Sequence, residues 1–229
     1  RTYEQASNHG AALLVDANLA DVATAVRLAP EEDELRRAGT ATTQQIYWAD
    51  PEFFEMLRLP LLHGDPATAL RRPDGLVMTR TEALRHFRRE DAVGQALEIA
   101  AAPMTLGAVL DDFPANATDL ETGIFASGLA ARSPLAREAE ANADQFAIGV
   151  RTYLELRPGA SPGEVEERLN SLVAGVVPAF MRDAYAMEMV RIDRIALHEG
   201  FHPDARERLE IGSLVAGLTL FIAIANFIN

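Results

Sequence analysis

Val150-Arg151-Thr152-Tyr153-Leu154-Glu155-Leu156-Arg157-Pro158-Gly159, followed by Ser161-Pro162-Gly163-Glu164, decides the fold class. Val150, Thr152, Leu154 and Leu156 alternate with Arg151, Tyr153, Glu155 and Arg157, which is the period of a half-buried strand. Pro158-Gly159 ends that strand. Ser161 to Glu164 has the form of a capping box with proline at the first helical position, so a long helix follows. Val165, Leu169, Leu172 and Val176 recur at helical spacing and predict its apolar face. Pro178 kinks or ends the helix, and Met187 to Leu197 reads as a returning strand.

Upstream the same signals come in shorter pieces. Gly10 to Ala20 predicts a helix with Leu13, Leu14 and Ala17 on one side. Val22, Thr24, Val26 and Leu28 alternate with Ala23, Ala25 and Arg27, a strand by period. The polar run Glu31 to Thr40 predicts an exposed turn or hairpin tip, and Thr43 to Trp48 a second strand. Asp50-Pro51 joins an N-cap residue to a proline at the first helical position, predicting a short helix from Pro51 to Leu57. Gly64-Asp65-Pro66 makes a turn and opens another helical turn. Strands follow at Leu76 to Thr79, Leu97 to Ile99 and Thr105 to Leu110, with Thr81 capping a helix from Glu82 to Phe87. Asp111-Asp112-Phe113-Pro114 is a turn. Residues 115–145 are Ala-rich and read as partly helical or loose. Strand, mixed insert, strand, helix, strand indicates an α+β fold with an inserted lobe.

The C-terminal run from Ile211 to Ile228, IGSLVAGLTLFIAIANFI, carries no charge. At 1.5 Å per residue its length is roughly 27 Å, close to the thickness of a bilayer's hydrocarbon core. It predicts a transmembrane helix, and with it a chain cut from a longer membrane protein. A buried core helix is the competing reading, but core helices of this length usually keep a polar stripe. Here only Ser213, Thr219 and Asn226 are polar, and all three are tolerated between membrane helices. The N-terminus, RTYEQASNHG, has neither a start Met nor an apolar run.

Composition narrows the function classes. A hydrophobic content of 48% with 24% charged residues belongs to a folded chain. The formal net charge of −13 opposes a nucleic-acid or anionic-lipid surface. Every one of the 21 basic residues is Arg, so a Lys-dependent phosphate loop is excluded. With no Cys, disulfides, thiolate catalysis and Cys-ligated zinc are excluded together.

Three constellations invite a chemical reading. His198-Glu199-Gly200-Phe201-His202 matches H-E-x-x-H, which on a helix places two imidazoles on one face for zinc. Gly200 weakens such a helix, Pro203 disfavours a helical His202, and the preceding stretch reads as a strand. The extended motif also needs Gly and His where this chain has Ala205 and Arg208. The match is read as coincidental, with a zinc metalloprotease kept as a minor alternative. Asp111-Asp112 with Asp119 and Glu121 could bind calcium or act as acid and base, but lacks an EF-hand pattern and reads first as turn chemistry. Arg71-Arg72 and Arg88-Arg89 are possible anion contacts, and in so acidic a chain they read first as solvated or paired. No catalytic, cofactor-binding or metal residue is therefore assigned.

The order of short motifs carries a resemblance. Tyr47-Trp48-Ala49-Asp50-Pro51-Glu52-Phe53-Phe54, then Leu59-Pro60-Leu61-Leu62-His63-Gly64-Asp65-Pro66, then Val77-Met78-Thr79-Arg80-Thr81-Glu82-Ala83 and Phe87, resembles the periplasmic core domain of MacB-type ABC transporter permeases. Glu90-Asp91-Ala92-Val93-Gly94-Gln95 fits a further step of that pattern, with Gln95 where Lys is usual. Thr105 to Pro114 fits its next strand, with Ala108 in place of one Val. Asn226-Phe227-Ile228-Asn229 is similar to the NFIN motif of the second transmembrane helix in this MacB/FtsX-like superfamily.

The resemblance implies a non-catalytic, two-lobed extracytoplasmic domain between the first two membrane helices of a permease. Residues 1–45 with 136–205 would form a porter-like α+β lobe, 46–135 a smaller inserted mixed lobe, and 211–229 the start of a transmembrane helix. It implies an inner-membrane location with this domain on the periplasmic side. The implied partners are an ABC ATPase subunit or domain, a second permease copy, a periplasmic adaptor, and lipid around the C-terminal helix, with no cofactor and no nucleic acid. A membrane-anchored binding or sensor domain without a transporter is the alternative.

Overall fold

The computed structural model describes residues 6–7, 19–113, 120–140, 148–176 and 189. Apart from Met189, these lie in one compact unit, Gln5–Met187. The strand expected from Met187 to Leu197, the His198–His202 motif, Asp119 and the apolar run 211–229 lie outside the described residues, as does nearly all of the helix expected from Gly10 to Ala20. Among the described residues no helix is long and apolar enough to cross a membrane.

Among the described residues nine strands build the core: β1 (Ala6–Ser7), β2 (Val22–Arg37), β3 (Thr40–Ala49), β4 (Leu61–Gly64), β5 (Gly75–Thr79), β6 (Ala96–Ile99), β7 (Ala102–Leu110), β8 (Ile124–Ser127) and β9 (Ile148–Leu156). They form one mixed sheet in the order β1-β9-β2-β3-β8-β5-β7-β4, with β6 joining β2 to β7. The pairs β3–β8 and β5–β7 are parallel, and the others are antiparallel. Among the described residues five helices accompany them: α1 (Phe53–Met56), α2 (Pro66–Leu70), α3 (Arg80–Phe87), α4 (Pro134–Glu140) and the longer α5 (Pro162–Val176).

The side-chain period of two divides each central strand between two cores on opposite faces of the sheet. Ile46 and Trp48, Leu76 and Met78, and Ile124 and Ala126 enter the core that also holds Ala83 and Phe87 of α3 and Leu135 of α4. Tyr47 and Ala49, Val77, and Phe125 enter the core that holds Phe53 and Phe54 of α1 and Leu70 of α2. Strands covered on both faces read as near-continuous apolar runs, and β5 (GLVMT) and β8 (IFAS) are buried throughout, with the polar Ser127 satisfied by donating to the Leu70 carbonyl.

Several local expectations change. The polar run Glu31–Thr40 is strand almost throughout, and the hairpin tip is only Ala38-Gly39. Both tip residues have positive φ (49° and 82°), as a two-residue hairpin turn requires. Alternation continues through the run because Asp33 and Leu35 turn inward while Glu32, Glu34 and Arg36 face water. The Ala-rich segment contains a central strand, β8, and helix α4. Asp50 does not cap a helix at Pro51. Its carboxylate is occupied by Arg27, and α1 begins at Phe53 after Glu52. Thr81 does not cap α3, which begins one residue earlier. On α5, Val165 and Leu169 are buried as the spacing predicts, but Leu172 stands 42% exposed.

Glycine lets α2 lie directly on β5 and β7. A Cβ at Gly75 would stand 1.8 Å from the Ala69 carbonyl oxygen, and one at Gly107 would stand 2.5 Å from Ala69 Cβ. Neither position tolerates a side chain while the helix keeps its place.

Candidate functional site

The acidic pair is structural. Asp112 reaches back to the start of α3, where its Oδ1 accepts the Thr81 N–H at 2.9 Å and its Oδ2 accepts the Thr81 hydroxyl at 2.9 Å. That satisfies one of the free N–H groups of the helix N-terminus and puts a negative charge against its positive end. Asp111 Oδ1 accepts the Asp112 N–H and lies 3.3 Å from Arg80. Glu121 does not join them, and its backbone N–H donates to the Tyr47 hydroxyl. Asp112→Ala should cost about 1 kcal/mol, as loss of a helix cap does, and Asp112→Asn less. Urea denaturation measures the difference, and an unchanged midpoint for Asp112→Ala would refute the capping role.

The arginine pairs are also engaged. Arg71 pairs with Glu55, Arg72 makes a two-pronged contact to Asp74, and Arg89 lies 3.4 Å from Asp91. Arg88 closes α3 in a left-handed conformation. A cleft of about 250 Å³ opens beside α2, lined by Asp65, Thr68, Arg72, Val93, Gly94 and Thr105. Its polar groups bind one another. Asp65 accepts from Thr68 and from the Ala67 N–H, and Thr105 donates to Asp74. The Thr68 hydroxyl holds the Asp65 carboxyl below its ordinary value. Arg72, and then Thr105, do the same for Asp74.

Among the described residues no cluster of three or more His, Asp or Glu side chains could hold a metal ion. What the fold does bring together is a set of ties between segments far apart in the chain. Arg27 grips both Asp50 oxygens at 2.9 Å while its own N–H donates to the same carboxylate at 2.8 Å. Arg132 binds Asp33 at 2.7 Å, Arg137 binds Glu31 at 2.9 Å, and Arg168 binds Asp21. The tip of the β2–β3 hairpin is fastened to α3, with Arg37 donating to the His86 carbonyl and lying 4.6 Å over the Phe87 ring. Beneath these ties Phe125 contacts Tyr47, Phe53, Phe54 and Phe113. Partners that span a hundred residues leave no local mark in sequence. The inward alternation of Ala29, Glu31, Asp33 and Leu35 was the one signal that could have located the acidic half.

The family described as MacB-like periplasmic core domain matches residues 3–172. This chain belongs to that family. A permease-protein domain from Porphyromonas gingivalis shares the fold with a TM-score of 0.59 at 18% identity, over 84% of this chain and 86% of the other. The periplasmic region of MacB from Actinobacillus actinomycetemcomitans shares it at 0.54 and 13%, over 77% and 76%. The extracellular domain of the noncanonic ABC-type transporter YknZ from Gram-positive bacteria shares it at 0.53 and 10%, over 75% and 84%. No curated protein matches the sequence. In this MacB-like periplasmic core domain the long-range ties and two-faced core are the prominent features among the described residues, where Asp112 serves as a cap and Arg71, Arg72 and Arg89 as surface pairs.

Proposed function

We propose that this chain is the extracytoplasmic domain of an ABC-transporter permease in the inner membrane, and that it transmits ATP-driven helix motion to the periplasm without catalysis of its own. The family match over residues 3–172 carries this reading. It is supported by the apolar run 211–228 and by a sheet with packed cores on both faces, since close-packed interiors transmit displacement with little give. The two-lobed division, 1–45 with 136–205 and 46–135, belongs to the same reading, with β3 crossing from one lobe to the other. The proposed partners are an ATPase subunit or domain, a second permease copy, a periplasmic adaptor, and lipid around the C-terminal run.

These 229 residues contain no Cys, so within them a thiol-reactive spin label goes only where a cysteine is introduced, any Cys elsewhere in the permease or its ATPase being replaced first. Labels at Glu32→Cys and Arg89→Cys, both exposed, would be placed in the full-length permease assembled with its ATPase. The distance between the two labels within one domain is expected to stay fixed through the ATP cycle. The distance between Glu32→Cys labels on two copies is expected to change with nucleotide. If no distance responded to nucleotide, the mechanical role would be lost and a static binding or sensor domain preferred.

A further inference from the structure

Glu31 and Asp33 occupy alternate positions of β2, so their side chains share the face that also carries Ala29 and Leu35. Opposite them on β3 stand Ile46 and Gln44, with Trp48 one pair further along. The chain between β8 and α4 closes over this face. Arg132 donates to Asp33 Oδ1 at 2.7 Å and to the Ala100 carbonyl at 3.2 Å, and lies 5.9 Å over the Trp48 ring. Arg137 of α4 donates to Glu31 Oε1 at 2.9 Å. One oxygen of each carboxylate is thus held. The other two, Glu31 Oε2 and Asp33 Oδ2, are buried without a donor. The two carboxyls stand two residues apart on one face of β2, where Glu31 acts directly on Asp33.

An acceptor facing an acceptor in a desolvated place is costly unless a proton lies between them. The charged groups around the pair do not remove the need. Arg132, 30% exposed, is engaged with Asp33, while Arg137 is 56% exposed and screened by water. From β3 come the uncharged Gln44, whose amide is engaged with His86, and Trp48, whose Nε1 is buried without a partner as is Arg132 Nε, so neither donates to the free oxygens. From the β6–β7 turn comes the Ala100 carbonyl, already taken by Arg132.

We propose that Glu31 and Asp33 share one proton between their facing oxygens, and that this proton latches the segment bearing Arg132 and Arg137 onto the β2–β3 hairpin. Asp33 is the proton's seat. Burial raises its carboxyl above the ordinary value, the neighbouring Glu31 raises it further, and Arg132 only partly opposes them. The stabilisation from the proton is therefore complete below the ordinary carboxylate value and is lost as pH rises through the raised one. The latch rests on these residues alone and is independent of the mechanical role.

The discriminating variant is Asp33→Asn in the full 229-residue chain. Its carboxamide imitates the protonated acid, donating to Glu31 while accepting from Arg132. Asp33→Asn is expected to melt at or above the wild type at neutral pH, with the difference shrinking toward acid. Asp33→Ala is expected to melt lower by roughly 5 °C or more at neutral pH, since it strands Arg132. The infrared spectrum of the wild type should contain a protonated-carboxyl band, above the pH at which free aspartate ionises, that disappears in Asp33→Asn. If that band is missing, or if Asp33→Asn loses as much stability as Asp33→Ala, the pair is simply ionised and bridged by Arg132 or water, and the shared proton is refuted.

Discussion

Truncation of Phe125 to alanine is expected to lower the unfolding free energy by about 4 kcal/mol, the range seen when a buried aromatic ring is removed from a core. Phe125 is fully buried on a four-residue strand between β3 and β5. Its ring lies 5.6 Å from Tyr47, 5.8 Å from Phe53, 5.2 Å from Phe54 and 6.2 Å from Phe113. The size of the loss depends on whether the neighbours can collapse into the space. Tyr47 cannot follow, because it is in register with Phe125 on a parallel strand and its hydroxyl holds the Glu121 N–H. Phe53 and Phe54 sit on the single turn of α1, whose position is set by the Asp50 carbonyl and the chain around it. Phe125→Leu keeps most of the volume and should lose less than about 1.5 kcal/mol. Guanidinium denaturation of both variants measures the difference, with an unchanged slope showing that the unfolded state is not altered. Similar losses for Ala and Leu would mean that restoring bulk does not help, and that the cluster depends on ring geometry instead of volume.

The parts of this fold that are legible in sequence are those decided by neighbours in the chain. The alternation of Val150 to Leu156 and the Ser161–Glu164 opening give β9 and α5 close to their observed bounds, because period and capping are local properties. Asp50 and Asp112 show where locality fails. Asp50 carries an N-cap signature with Pro51 behind it, yet Arg27, 23 residues away, takes its carboxylate. Asp112 looks like a turn residue, yet caps a helix 31 residues upstream. A carboxylate goes to the donor the fold places nearest, and that placement is settled by strand order. Glu31 to Arg37 reads as solvated for the same reason, since Arg132 and Ile99 approach Asp33 and Leu35 from distant segments. Asp112 became a cap and Arg71, Arg72 and Arg89 became surface pairs, while half-buried Glu31 and buried Asp33 stand among four acidic residues of one strand.

Gly64→Ala is expected to destabilise the domain by about 3 kcal/mol or more, against about 1 kcal/mol for Gly39→Ala. Both glycines have left-handed backbones, with φ of 79° and 82°, so both substitutions carry the same strain. They differ in surroundings. An added Cβ at Gly39 meets nothing within 4 Å, whereas at Gly64 it would lie 2.1 Å from the Gly107 carbonyl oxygen and 2.9 Å from Ala108 Cα. Those atoms are backbone of β7, which is paired with β4, β5 and β6, and cannot rotate away as a side chain would. The edge strand β4 must therefore move. That movement pulls on the Asp65 N–H bonded to Gly107 and on Asp65 itself, the N-cap of α2. Displacing Asp65 frees the Ala67 N–H and lifts α2 from the glycines on which it rests, so one methyl group disturbs a strand, a cap and a helix together. Paired denaturation curves isolate the steric part, because the shared backbone strain cancels between the two variants. Equal losses would show that β4 yields freely, and that the close seating of α2 on β5 and β7 is not what fixes this edge of the sheet.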